Sequence, residues 1–157
     1  MNNPYSAPTS DVNVIPETNG LHVLPRFSAW GVAGLTIITF GIYYMYWLYS
    51  RTTKLNNVVE NKVPMWLVYL SIVSYLFYMA MNMIPESSIA SLTVVFGILS
   101  VVLVYIVSYY WWLYAVRSRI TVLANDSNFK IGGIKTFFFQ PLYLQYKINQ
   151  YHDQHTE

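Results

Sequence analysis

The sequence predicts an all-α membrane protein: three transmembrane helices followed by a C-terminal interfacial amphipathic helix. Three observations carry that prediction. Charged residues are only 10% of the 157 residues, against about 25% in an ordinary soluble domain. No Asp, Glu, Lys, Arg or His occurs from Phe27 to Ser50, from Val63 to Pro85 or from Ser87 to Val116, gaps of 24, 23 and 30 residues. At about 1.5 Å per residue the shortest gap reaches roughly 34 Å, enough to cross a hydrocarbon core of about 30 Å. Finally, 15 Tyr and 5 Trp bring more apolar surface than a soluble domain of this size buries.

Residues 1–26 are rich in Asn, Pro, Ser and Thr, hold four prolines and lack a helical period, so they read as a flexible polar N-terminal tail. They lack the basic start of a secretory signal, and no cleavage is expected. The three-span domain follows over 27–124, with spans at about 28–50, 64–84 and 88–116. Its third helix extends into the cytoplasm through "RITVLAND". Residues 125–135, containing "NDSN" and "KIGGIK", form a turn. The interfacial helix occupies 136–151: its uncharged run from Thr136 to Tyr146 is eleven residues, too short to span. Pro141 sits near its first turn or kinks it. Residues 152–157 are a polar terminus.

Basic residues concentrate on the cytoplasmic side of membrane proteins. The loop "RTTKLNNVVENK" and the chain from Arg117 onward together hold 8 of the 9 Lys and Arg. Both are therefore expected inside, with the N-terminal tail and the "PESS" turn outside. Tyr and Trp favour the membrane–water interface, and 16 of the 20 lie toward that basic side. Most of "TFGIYYMYWLYS" (39–50) is then an interfacial anchor. Tyr105 is about 18 Å from Arg117 along a helix, too deep for a simple belt. Either aromatic side chains pack between helices there, or they form a groove open to the inner leaflet.

Helices in lipid associate through small residues and shared polar groups. On the third span Ala90, Thr93, Gly97, Ser100, Ser108 and Ala115 fall within an arc of about 80°, and Ser71, Ser74, Tyr78 and Asn82 make a similar stripe on the second. These stripes are expected to face each other, with Ser71, Ser74, Asn82, Thr93, Gly97 and Ser100 as the candidate helix-packing residues. On the first span, Gly41 loosens the helix at a cost of about 1 kcal/mol relative to Ala.

The stretch Leu35–Asn56, "LTIITFGIYYMYWLYSRTTKLN", resembles the signature of a family called domain of unknown function 4234. The resemblance rests on Thr39, Gly41, Ile42, Tyr43, Trp47 and Tyr49, on Arg51 or Lys54, and on Leu55 and Asn56. It implies a small integral protein of a bacterial inner membrane and supplies no activity. The tail's "YLQYKIN" faintly echoes "YWLYSRTTKLN".

The absence of Cys removes disulfides, thiolate catalysis and cysteine metal sites. No ionisable residue stands within a span, which argues against transport by a monomer. His152, Asp153, His155 and Glu157 are the one clustered candidate for a metal, and they read as a solvated end. "KIGGIK" lacks the spacing of a phosphate loop. No enzyme activity, cofactor, metal or nucleic-acid partner is expected. The favoured function is a non-catalytic inner-membrane module that binds the bilayer and a partner protein, a lipid or another copy of itself through its aromatic cytoplasmic half. The alternative is a small oligomeric transporter or channel, its lumen lined by Ser71, Ser74, Asn82, Thr93 and Ser100.

Overall fold

The computed structural model describes residues 20–85 and 91–155. A 3-10 turn (Gly20–Val23) leads into five helices: α1 (Ala29–Ile38), α2 (Ile42–Asn56), α3 (Met65–Met81), α4 (Leu92–Ala124) and α5 (Gly133–Gln154). All regular structure among the described residues is helical.

The stretch expected to form the first span is two helices, not one. Ser28 caps α1, its Oγ accepting from the Gly31 amide. After Thr39, Phe40 and Gly41 take φ of +50° and +90°, and the chain turns back on itself. Phe27 and Tyr43 would lie about 24 Å apart along a continuous helix, yet their ring centroids are 6.5 Å apart. Farther along, the Pro25 carbonyl accepts from the Arg51 guanidinium at 3.4 Å. α1 and α2 are thus a helical hairpin.

α3 and α4 form the second, longer hairpin, with Trp66 edge-on to Trp111 at 6.0 Å. α4, of 33 residues, is the single helix among the described residues that is long and apolar enough to cross a membrane. α1 and α3 are apolar but shorter, at 10 and 17 residues. The expectation of three such helices is corrected to one, because the first stretch breaks after Ile38 and α3 stops at Met81.

The expected interfacial helix is also different. α5 breaks at Gln140, whose φ and ψ are 47° and −136°. Its first limb runs down α4: the Tyr114 hydroxyl donates to the Gly133 carbonyl at 2.9 Å, and Phe137 stacks on Tyr110 at 4.9 Å. The second limb climbs back, and its Leu144, Gln145 and Ile148 are fully buried. This limb is a core element docked on the other helices. Its apolar side chains were legible; what they face was not.

The buried residues gather at one end of the molecule. Those of α4 begin at Ser108, whereas Leu92, Phe96, Leu99 and Leu103 before it are exposed. The dense end includes residues 20–26. Leu21 and Leu24 are fully buried, and a Cβ on Gly20 would strike the Tyr151 hydroxyl. The tail expected over 1–26 is therefore fixed from Gly20 onward, at the same end as the α2–α3 loop and the end of α5, not at the opposite one. Residues 1–19, 86–90 (with Glu86, Ser87 and Ser88 of the "PESS" turn, and Ala90) and 156–157 lie outside the described residues.

Candidate functional site

The dense end is built around a polar node. Trp47 and Arg51 stand one helical turn apart on α2, so both point at the second limb of α5. There Gln145 Oε1 accepts from Trp47 Nε1 at 3.0 Å and from Arg51 Nη2 at 2.9 Å. The guanidinium lies over the Trp47 ring, 5.2 Å from its centroid. Gln145 Nε2 donates in turn to Asn149 Oδ1 at 2.8 Å. Asn149 grips both backbone groups of Phe27, donating to its carbonyl at 2.7 Å and accepting from its amide at 3.3 Å. The start of α1 is thus tied to α5, and α5 to α2.

Asn56 does the same at the other end of α2. It donates to the Val63 carbonyl at 2.9 Å and accepts from the Val63 amide at 2.8 Å, closing the loop before α3. The echo between "KLN" and "KIN" has this content: a fully buried aliphatic residue, Leu55 or Ile148, followed by an Asn that clamps an extended residue. Nearby, Trp112 Nε1 donates to Thr52 Oγ1 at 2.7 Å, so both buried indoles have their polar atom satisfied.

Arg51 is 6% exposed. Burial lowers its pKa below the ordinary arginine value, opposed by the neighbouring Tyr43 and Tyr46. The acceptors it meets are neutral.

An aromatic bridge joins the two reversals. The Tyr75 hydroxyl donates to the Phe40 carbonyl in the first. Tyr75 packs on Tyr105 at 5.5 Å, and Tyr105 on Tyr109 at 5.8 Å. The Tyr109 hydroxyl donates to Gln140 Oε1 at 2.9 Å in the second. Tyr105 is deep because it is the middle rung.

The signature residues acquire roles from this geometry. Thr39 Oγ1 donates to the Leu35 carbonyl at 2.7 Å and accepts from the Tyr43 amide at 2.9 Å, which caps α2. Gly41 admits the Tyr75 hydroxyl, which would stand 2.5 Å from an added Cβ. Tyr43 packs on Phe27, Trp47 belongs to the node, and Ile42 is exposed.

Among the candidate packing residues, Ser71 and Ser74 are buried. Asn82, Thr93, Gly97 and Ser100 are exposed. The amide of Asn82 turns back to the Tyr78 carbonyl and the hydroxyl of Ser100 to the Phe96 carbonyl, and nothing lies within 4 Å of a Cβ on Gly97. These four stand where only α3 and α4 run side by side.

At the chain's end, His152 Nε2 lies 2.8 Å from the Leu24 carbonyl and its Nδ1 lies 3.1 Å from His22 Nδ1. A carbonyl only accepts, so Nε2 carries a proton. His155 stacks on Tyr151 at 4.1 Å. No group of three or more metal-ligating side chains gathers among the described residues.

Gln145 and Asn149 escaped the sequence reading, although two amides one turn apart within an apolar helix were a visible signal. No curated protein and no solved structure gives a significant match to the chain. A family model described as "Domain of unknown function (DUF4234)" matches residues 27–122, a range that includes the first reversal, Trp47, Arg51 and the tyrosine bridge. The chain belongs to the DUF4234 family.

Proposed function

We propose that the protein is a non-catalytic module of a bacterial inner membrane that offers its aromatic, basic end to a partner protein or lipid. In this reading α3 and α4 cross the bilayer as a hairpin. α1–α2 and the two limbs of α5 enter the inner leaflet as re-entrant hairpins, a geometry tolerated in lipid where protein satisfies the broken backbone. Residues 20–26 and the end of α5 both lie in the cytoplasm.

One observation supports this above the others: the division of the surface. The basic residues cluster at the dense end, where Arg26 pairs with Asp153 at 2.7 Å and Arg119 holds Asn61 at 2.9 Å. The exposed large side chains of α3 and α4 beyond it, from Leu76 and Phe77 to Phe96 and Leu103, are apolar. Such a continuous apolar surface marks lipid or partner contact. Phe40, Phe138 and Phe139, exposed at the two reversals, suit insertion to mid-leaflet depth. The channel alternative asks Ser71 and Ser74 to line a lumen, and both are buried in the monomer.

The chain has no Cys, which makes site-directed labelling clean. Single cysteines at Asn19, Ile84 and Ser127 are treated with an impermeant maleimide in intact and permeabilised cells. The reading expects Ile84 to label from outside, and Asn19 and Ser127 only after permeabilisation. Labelling of Asn19 from outside would restore a third crossing and sink it.

A further inference from the structure

We propose that the cleft beside Arg51 binds the phosphate of an anionic phospholipid, with one acyl chain lying in the adjoining groove between α2 and α3. This deepens the module reading and rests on its placement of α2 in the inner leaflet.

Arg51 is 94% buried by the complement of its 6% exposure, and among the described residues it meets no carboxylate. Its Nη2 donates to two neutral oxygens, Gln145 Oε1 at 2.9 Å and the Pro25 carbonyl at 3.4 Å. Its Nε is buried with no acceptor among the described residues. A guanidinium desolvated to this degree without an anion is costly, and an anion seated in the cleft that Arg51 lines offsets that cost.

The cleft on which it opens has a volume of about 240 Å³ and is also lined by Arg26, Lys54, Tyr43, Tyr46 and Ser50. Arg26 is offset by Asp153, 2.7 Å away, so among the described residues two cations of the three have no paired acid. Guanidinium, ammonium and hydroxyl donors converging on one concave site match the oxygens of a phosphate.

What favours a lipid over a free phosphate is the neighbouring surface. A groove of about 320 Å³ lies on the other side of Tyr46, lined by Ile42, Met45, Tyr49, Ile72, Tyr75 and Leu76. Positions 43, 47, 50, 51 and 54 turn toward the cationic cleft and positions 42, 45 and 49 toward the apolar groove, adjacent faces of one helix with Tyr46 on the border. Head and chain of one amphiphile fit the pair.

The test is native mass analysis of the full-length protein after exchange into mixed micelles of phosphatidylcholine and phosphatidylglycerol. Preferential retention of phosphatidylglycerol is expected. Arg51→Gln should weaken that preference about tenfold or more. Lys54→Gln, at a partly exposed position that leaves the node intact, should weaken it about fivefold and keeps the test valid if the Arg51 variant misfolds. Equal retention of both lipids, or a preference unchanged in Lys54→Gln, overturns the proposal. Binding of inorganic phosphate that displaces phosphatidylglycerol overturns the lipid assignment and leaves a free-anion site. The cysteine map is read on the same protein: an altered map sinks the membrane reading, whereas an intact map without lipid preference sinks this inference alone.

Discussion

At the first reversal the turn is made by a phenylalanine followed by a glycine, both at positive φ, and at the second by a glutamine followed by proline. Gly41 holds φ at +90° and lets the Tyr75 hydroxyl close on the backbone. Gln140 holds φ at 47° with ψ at −136°, a region that strains any residue with a Cβ. Its side chain offsets the strain, accepting from Tyr109 at 2.9 Å and donating to Tyr110 at 3.4 Å. Pro141 then opens the second limb without an amide proton to satisfy. One turn is made by subtraction, the other by compensation. A turn of the first kind leaves a fixed small residue in the sequence; a turn of the second kind hides in residues that look helical.

The largest effect should come from filling the first turn. Gly41→Val puts a branched side chain at positive φ against Tyr75, and we expect a loss of about 3 kcal/mol in denaturant titration of the detergent-solubilised protein. Next comes the anchor that holds both hairpins together. Gln145→Leu leaves Trp47 Nε1 and Arg51 Nη2 without their shared acceptor and should cost about 2 kcal/mol in the same assay. A bound anion should recover part of that loss.

Tyr75→Phe removes the donor to Phe40 and should cost about 1 kcal/mol. It also vacates the space that a Cβ at position 41 would need. In that background Gly41→Ala should therefore cost about 1 kcal/mol less than in the native protein, a coupling measurable by double-mutant cycle. Smallest is Gln140→Gly: relieved strain and the lost tyrosine bonds oppose each other, for a net change within about 1 kcal/mol. A loss as large as that of Gly41→Val would mean that the two turns are not made differently after all.

The sequence placed the start of α3 at position 64 and the far end of α4 near 124, close to Met65 and Ala124, because Pro and Asn punctuate them. It misjudged the first stretch for a physical reason: an uncharged apolar run looks the same whether it continues as one long helix or doubles back as two short ones. Only Thr39 and Gly41 mark the difference, and Gly41 was read as a loosening of the helix. The fixed place of residues 24–27 was not legible at all. The groups that hold Leu24, Pro25 and Phe27 include their own carbonyls, which every residue type carries. Their partners Gln145, Asn149 and His152 lie more than a hundred positions away. The cationic cleft was half visible: Arg51 and Lys54 were assigned to topology, which explains that they are basic but not that one is buried.

The clamp of Asn149 on Phe27 spans 122 positions of chain. At about 5–20 residues per second of synthesis, Phe27 waits roughly 6–24 s for the residue that clamps it. During that interval Trp47 and Arg51 have no Gln145, and the segment before α1 has nothing to lie on. The contacts between α3 and α4 need no residue beyond Ala124. Leu24 and Phe27 are therefore made early and held late. A ribosome stalled before Gln145 would leave the α3–α4 hairpin carrying an unfinished, cationic flank.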